Sequence, residues 1–429
     1  LSSITPMDHV ATLSWTALTE KDTTISAAIN LMLSQNVQKG LESLEDFYAP
    51  SLNFLLVDSE KMVLKTVGKM PRRSPLHQTQ GRMPSIGWKP ENKWRGYWGY
   101  EVNPIIESSA GDILGNTNNK IAEEKFPKHV SHVWGDTQRI LRWQKLMQNR
   151  EVHTRESFIE VQLDAVSPTA RGLLPLIGSE LWYSQPRGEA GSKERLRFEA
   201  VSMLASWNGE MSEHLPEPLI YSTWMKFLQK KLINDDLGPI STRFSHFNPI
   251  FVEKVFRNIE GASSWCDIKH SSHKETCTEI ASKSLDEALS WLQDKYGKNL
   301  NALRWGDAHE AIHRHETFGN IPVLKYFFNI RQSTSGGDNT LMRGKTSGQG
   351  ENPFLNIHAA VYRGIYDFAD PDSSVFIIST GQSGHFLSRH YDDLGNLWRR
   401  GEYVPMSLDP NLARGASLGV TKILPTIIN

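Results

Sequence analysis

The sequence predicts an α+β protein, with strand-forming segments toward both ends of the chain and a long helical region between them. Three observations carry this. Apolar, β-branched runs bounded by polar turns occur at about 50–120 and again at 352–384. Between them, from about 128 to 320, apolar residues recur mainly at helical spacing. No internal repeat breaks the 429 residues into modules, so they are read as one discontinuous domain with a large helical insertion.

Taken in order, Asp22 to Phe47 reads as helical. "SLNFLLVDSEKMVLKTVGKM" then gives two strands joined by the polar turn Asp58-Ser59-Glu60-Lys61. From Pro71 to Asn103 the chain is punctuated by Pro and Gly and carries Trp88, Trp94 and Trp98. Exposed indole at that density is costly, so these rings are expected to pack under the loop or line a pocket. "SLDEALSWLQDKYG" typifies the helical region, with Ser284 placed as N-cap, Leu285, Ala288, Leu289 and Leu292 on one face, and Gly297 as the stop. "STSGGDNTLMRGKTSGQGEN" reads as a long loop, and strands are expected in "LNIHAAVYRGIYDF" and "SSVFIISTGQSG".

A formal net charge of −1 gives no long-range field that would draw nucleic acid or an acidic membrane surface, which points to a neutral or apolar partner. No run of eighteen or more apolar residues offers a membrane span. The chain opens on Leu1 without an initiating Met, a basic segment or an apolar leader, and so reads as a processed piece or part of something longer. Its two cysteines, Cys266 and Cys277, enclose ten residues in "WCDIKHSSHKETC". A disulfide closes such a loop in an oxidising compartment. With His270 and His273 the same residues also offer four zinc ligands, and two inert thiols are the third reading.

Two motifs suggest chemistry. "HEAIH" at 309–313 fits the zincin pattern, two histidines one helical turn apart with a glutamate base between, with Asp307 to cap the helix and Gly319 to end it. The metzincin extension fails, since Glu316 stands where Gly is needed, and the next Glu is Glu351 in a Gly-rich loop. A zinc peptidase is therefore the minor alternative, and a polar helix face the favoured reading. "TGQSGH" at 380–385 imitates a nucleophile elbow but carries His385 in place of the closing Gly, so a tight turn after a strand accounts for it.

"GDILGNTNNK" at 111–120 gathers Asn116, Asn118 and Asn119 around Thr117 with no histidine near. As pattern alone this is a turn whose residues tolerate left-handed backbone. A neutral amide is also a good oxyanion donor, because it offers N–H groups without a proton to lose.

The order of segments decides between these. "LSWTAL" at 13–18, "SLNFLLVD" at 51–58, "PSIGW" at 84–88 with "YEVNP" at 100–104, "GDILGNTNN", "VWGDTQRI" at 133–140 and "GQSGHFLSRHYDDLGNLW" at 381–398 together resemble the penicillin acylase family of N-terminal-nucleophile amidohydrolases. The match is to the C-terminal portion of the large subunit. The resemblance implies a four-layer αββα core, present here in part. It places the family's side-chain oxyanion donor on Asn118, the arginine that supports the active-site network on Arg139, and the acyl-pocket residues on Trp15 and Leu52.

The implied reaction is cleavage of an N-acyl amide through an acyl-enzyme on an N-terminal Ser. The substrate is a penicillin-type side chain or, alternatively, an acyl-homoserine lactone. The nucleophile is not among these residues, since Ser2 and Ser3 follow Leu1 and carry no free α-amine. The implied partners are the N-terminal part of the large subunit and a small subunit. The implied location is periplasmic or secreted, in keeping with a Cys266–Cys277 disulfide. No cofactor is required. The family's calcium is not supported here, because Lys128 stands near an expected acidic ligand and the nearest acids upstream are Glu123 and Glu124. A reading of another class is a non-catalytic fragment or binding scaffold.

Overall fold

The computed structural model describes residues 8–109, 111–122, 128, 130–135, 137–182, 189 and 191–425. They fall into two compact units, Leu1–Ile140 and Leu141–Asn429, each considered by itself.

In the first unit the expected helical stretch is two short helices, α1 (Thr24–Met32) and α2 (Val37–Ser43). The break between them is local chemistry: the Asn36 side chain accepts the Lys39 N–H at 2.9 Å and starts α2 afresh. The predicted hairpin follows as β1 (Leu52–Val57) and β2 (Lys61–Val67), with Leu52 opposite Val67. Asp58 organises its turn by accepting the N–H groups of Glu60 and Lys61 at 2.9 and 3.0 Å. β3 (Ile105–Ser109) pairs antiparallel on the far edge of β2. Phe54 and Leu56 on one face of β1 pack against Ala27, Leu44, Phe47 and Val67, which fixes the sheet's register on the helices. α3 (Gln138–Gln148) begins at the end of this unit. Of the tryptophans expected to be covered, Trp94 and Trp98 are partly buried, whereas Trp88 is 69% exposed beside His9.

The second unit opens with helices α4 (Arg155–Gln162), α5 (Pro168–Trp182), α6 (Lys193–Ser206), α7 (Glu217–Leu237), α8 (Pro249–Phe256) and α9 (Cys277–Tyr296). The apolar faces of α5 to α9 form the main core, which includes Trp224, whose indole donates to the Ala281 carbonyl at 3.0 Å. Leu285, Ala288, Leu289 and Leu292 are buried as predicted, and Gly297 ends α9 at φ 99°. The start of α9 is corrected. Thr276 and Glu279 form a capping box well before Ser284, which lies fully buried within the helix and accepts from Trp224. Cys266 and Cys277 form a disulfide at the head of α9. Both sulfurs are thereby used, which overturns the zinc and free-thiol readings of this stretch.

A short α10 (Trp305–Ala308) leads into β4 (Glu310–His313), followed by α11 (Lys325–Phe328), β5 (Ile330–Ser333), β6 (Gly344–Thr346), β7 (Asn356–Ala359), β8 (Tyr362–Ile365), β9 (Val375–Ile378), α12 (Gly395–Arg400), β10 (Val404–Pro405) and α13 (Pro410–Ala416). They make two sheets, ordered β5-β4-β7-β6 and β10-β9-β8. The long loop expected near 333–352 is therefore interrupted by the end of β5 and by β6. "HEAIH" is a strand rather than a helix, because its backbone bonds go to β5.

Candidate active site

Asn118 and Arg139 are brought together, and the amides around them divide into scaffold and display. β3 delivers the chain to a turn in which Asp112 accepts the Ser109 N–H at 3.0 Å and Gly111 takes φ 94°. Four residues after Asp112 the amides begin to bond one another. Asn116 Oδ1 accepts the Asn118 N–H at 2.9 Å, and Asn119 Oδ1 accepts the Thr117 N–H at 3.0 Å. Asn116 Nδ2 donates back to Asn119 Oδ1 at 3.3 Å. These Asx-type bonds force a tight loop and place Asn118 at φ 70°, a left-handed conformation that Asn tolerates.

Asn118 is then gripped from the second segment. Gly135 N–H donates to the Asn118 carbonyl at 2.9 Å. A Cβ on Gly135 would lie 2.8 Å from that oxygen, so the approach requires glycine. Arg139, 8% exposed on the first turn of α3, donates to the Thr117 carbonyl and, at 3.1 Å, to Asn118 Oδ1. A guanidinium only donates, so it fixes the rotation of the amide: Oδ1 faces Arg139 and Nδ2 faces away. Among the described residues no group accepts from Asn118 Nδ2, and the side chain is exposed. The result is an oriented N–H donor held on a rigid loop.

The entry to this loop is anchored from beneath. Lys65 on β2, 4% exposed, donates to the carbonyls of Tyr100 and Asn103 at 3.2 and 2.9 Å. Its ammonium also lies 4.5 Å from the centre of the Tyr100 ring. Burial lowers the Lys65 pKa and pushes that of Tyr100 up to about 12. The two bonds from Lys65 fix the "YEVNP" turn before β3.

Trp15 and Leu52 are not tied to the Asn118–Arg139 pair by any hydrogen bond or ring contact among the described residues. They present apolar surface to solvent, at 52% and 44% exposure, with Leu52 at the start of β1. Sequence reasoning missed Asn116, Asn119 and Gly135 as the parts that build the loop. The Asn-x-Asn spacing was the available signal for the first of these.

Residues at the expected calcium position do not fit the ion. Lys128 points its ammonium toward Trp98, 5.8 Å from the ring centre, and a cation there repels another. Glu123 and Glu124 lie outside the described residues. No cluster of three or more His, Cys, Asp or Glu with metal-binding geometry occurs among the described residues. The zincin alternative is also overturned. His309 closes the short α10 and His313 ends β4, so the two histidines do not stand one turn apart on a helix as the zincin pattern requires. His309 is fully buried, stacked 4.5 Å from Trp305, and donates from Nδ1 to the Phe354 carbonyl at 2.7 Å.

Comparison with known proteins follows the same line. The sequence profile of the family described as "Penicillin amidase" matches residues 3–414. "Acyl-homoserine lactone acylase QuiP" of Pseudomonas syringae is 24% identical over 403 residues, covering 89% of this chain and 47% of its own length. The protein of that name from Pseudomonas aeruginosa is 23% identical, covering 92% of this chain and 49% of its own length. "Penicillin acylase 2 proenzyme" of a Pseudomonas species is 24% identical, with coverage of 86% and 46%. The chain thus spans about half the length of the curated relatives it matches. The solved thermostable penicillin G acylase of Alcaligenes faecalis superposes with a TM-score of 0.64 at 16% identity, over 95% of this chain and 73% of that one. The predicted mixed helix-and-sheet class is borne out, and the fold is that of penicillin G acylase. No helix among the described residues is long and apolar enough to cross a membrane.

Proposed function

The chain belongs to the penicillin amidase family, and from that premise we propose that it is part of an amidohydrolase cleaving an N-acyl amide through an N-terminal Ser acyl-enzyme. Asn118 supplies the side-chain oxyanion donor. The observation that carries this reading is the fixed amide: Arg139 holds Oδ1, leaving Nδ2 as a preorganised donor. The serine attacks the amide carbonyl with its own α-amine as base, and negative charge on the carbonyl oxygen is met by Nδ2. Water then releases the acid. The serine and its neighbouring backbone donor come from the remainder of the large subunit, completed by a small subunit. The strand-rich stretches 50–120 and 352–384 belong to one discontinuous αββα core.

Trp15 and Leu52 form part of the acyl pocket. Their exposed apolar surface suits an aromatic or fatty acyl group and not a charged one. A penicillin-type side chain is the primary reading. The relatives named as acyl-homoserine lactone acylases favour a second, a fatty acyl chain on a homoserine lactone. The disulfide supports a periplasmic or secreted location.

The test is Asn118→Ala in the complete acylase, assayed on a phenylacetyl amide and on a fatty-acyl homoserine lactone. Turnover of the true substrate is expected to fall about 10²–10³-fold, as loss of one oxyanion donor does, with an unchanged thermal midpoint. Turnover within a few-fold of the parent would remove Asn118 from the mechanism. Tight binding of either compound without turnover by the complete protein would favour a binding scaffold instead.

A further inference from the structure

A small cavity in the second unit is lined by opposite charges that do not meet. Tyr221 with Met225, and Ser222 with Lys226, are pairs four residues apart on α7, so all four line one side of the helix and form one wall. The segment from Gly337 to Gly348, which carries Asp338, supplies another. The cavity measures about 60 Å³, room for a few ordered waters or for one molecule with about as many heavy atoms. Met211, Met225 and Phe354, all buried, give it an apolar lining.

The polar groups there are held in place without being used up. Asp338 accepts from the Thr346 N–H at 3.2 Å and from the Thr346 hydroxyl at 2.8 Å, and among the described residues it forms no ion pair. Lys226 donates to the Gly348 carbonyl at 2.7 Å, which leaves two N–H groups of its ammonium, and among the described residues it meets no carboxylate. The Tyr221 hydroxyl, on a residue 5% exposed, has no partner among the described residues, a costly state for a buried polar group. Burial pushes the Asp338 carboxyl up, against smaller pulls from Thr346, His246 and Arg343. Burial likewise pushes the Lys226 ammonium down, and no carboxylate offsets it. Both shifts are those of a charge kept from its counter-charge.

Charge separates the occupants this cavity can take. A lone cation drawn to Asp338 would face Lys226 across a space this small, and a lone anion drawn to Lys226 would face Asp338. An apolar molecule would leave the Tyr221 hydroxyl unmet. A molecule that carries both charges answers all three groups at once. We propose that the cavity binds a small zwitterion of the α-amino acid class, its ammonium on Asp338 and its carboxylate between Lys226 and the Tyr221 hydroxyl. The volume restricts the ligand to a minimal side chain, as in glycine or alanine. Bound there, it ties the Gly337–Gly348 segment to α7. The claim goes beyond the proposed amide hydrolysis and does not rest on it.

The test is equilibrium dialysis of radiolabelled glycine against the complete purified protein at neutral pH, with acetate and methylamine as competitors that each carry a single charge. Saturable uptake is expected, displaced by alanine but not by acetate or methylamine at equal concentration. Lys226→Met and Asp338→Asn should each abolish it. Tyr221→Phe should weaken it at least ~tenfold, the worth of one hydrogen bond to a charged group. The same variant should keep or raise the thermal midpoint measured without glycine, because it removes only a hydroxyl that has no partner. Should a charge variant fail to fold, Tyr221→Phe decides. Absence of saturable uptake, as for a cavity that holds water alone, would overturn the proposal. Displacement by acetate or methylamine as effective as that by alanine would do so too, and so would glycine binding to Tyr221→Phe with the parent's affinity.

Discussion

His309 should make this protein sensitive to mild acid, and the size of the effect follows from its surroundings. Its imidazole is fully buried against Trp305, and its Nδ1–H is committed to the Phe354 carbonyl. Protonation would add an N–H at Nε2, which has no partner and is crowded by Gly344: a Cβ there would lie 2.3 Å away. Burial therefore depresses the pKa from 6.5 to about 4, against the smaller opposing pull of the Phe354 carbonyl. The sign is fixed by proton counting. Between pH 6.5 and 4 the unfolded chain binds the proton and the folded one does not, so stability is complete above about 6.5 and is lost as pH falls toward 4. The loss from this group is about 1 kcal/mol near pH 5.5 and about 2–3 kcal/mol near pH 4.5. The assay is urea unfolding by tryptophan fluorescence from about pH 7.5 to 4.5, comparing the parent with His309→Asn. That variant can still donate to Phe354 but does not titrate. It is expected to be less stable at neutral pH through lost ring packing, with a shallower acid slope by the amounts above. Identical acid slopes in the two proteins would refute the linkage.

Two further perturbations read the site and the staple. Arg139→Met removes the donor that fixes both the Thr117 carbonyl and the Asn118 amide. In the complete acylase kcat should fall by about 10², the cost of a misplaced catalytic group, with KM nearly unchanged; a kcat within about twofold of the parent would show that Arg139 does not orient Asn118. Cys277→Ser opens a loop of sequence separation 11, and by chain entropy should cost about 3 kcal/mol. Thermal melts of the variant, and of the parent with and without reductant, check this, and coincident midpoints would contradict it.

How much was legible in the sequence can be judged residue by residue. The hairpin was readable because two apolar runs flank a polar turn and Asp58 is a turn former whose carboxylate bonds the next N–H groups. The apolar face of α9 was readable from its period. Its start was not, because Ser284 looks like a cap while its hydroxyl serves the Trp224 indole, a partner sixty residues distant. "HEAIH" failed differently. Nothing local forbids a helix there, and only pairing with β5 makes it a strand, which is information held elsewhere in the chain. The pair Asn118 and Arg139 was found through resemblance, since one stretch alone reads as a turn. Asn116 and Asn119 were visible as amides, but their role as loop builders appears only when their bonds are seen.

That division of labour yields the sharpest test of why an amide stands at 118. Asp is nearly the same shape as Asn, so Asn118→Asp should keep the bond from Arg139 at Oδ1 and the left-handed backbone clamped by Gly135. What changes is the atom facing away from Arg139, from an N–H donor to an oxygen that only accepts. Toward an oxyanion that substitution is worse than a deletion, because it adds repulsion to the loss of a hydrogen bond. Asn118→Asp should therefore fold like the parent yet fall at least as far as Asn118→Ala, by about 10³-fold or more in kcat. The comparison is made in the complete acylase, with loop integrity followed by hydrogen exchange at Thr117 and Asn118. If Asp retained more activity than Ala, Nδ2 would not be meeting negative charge, and the three amides would be a turn after all.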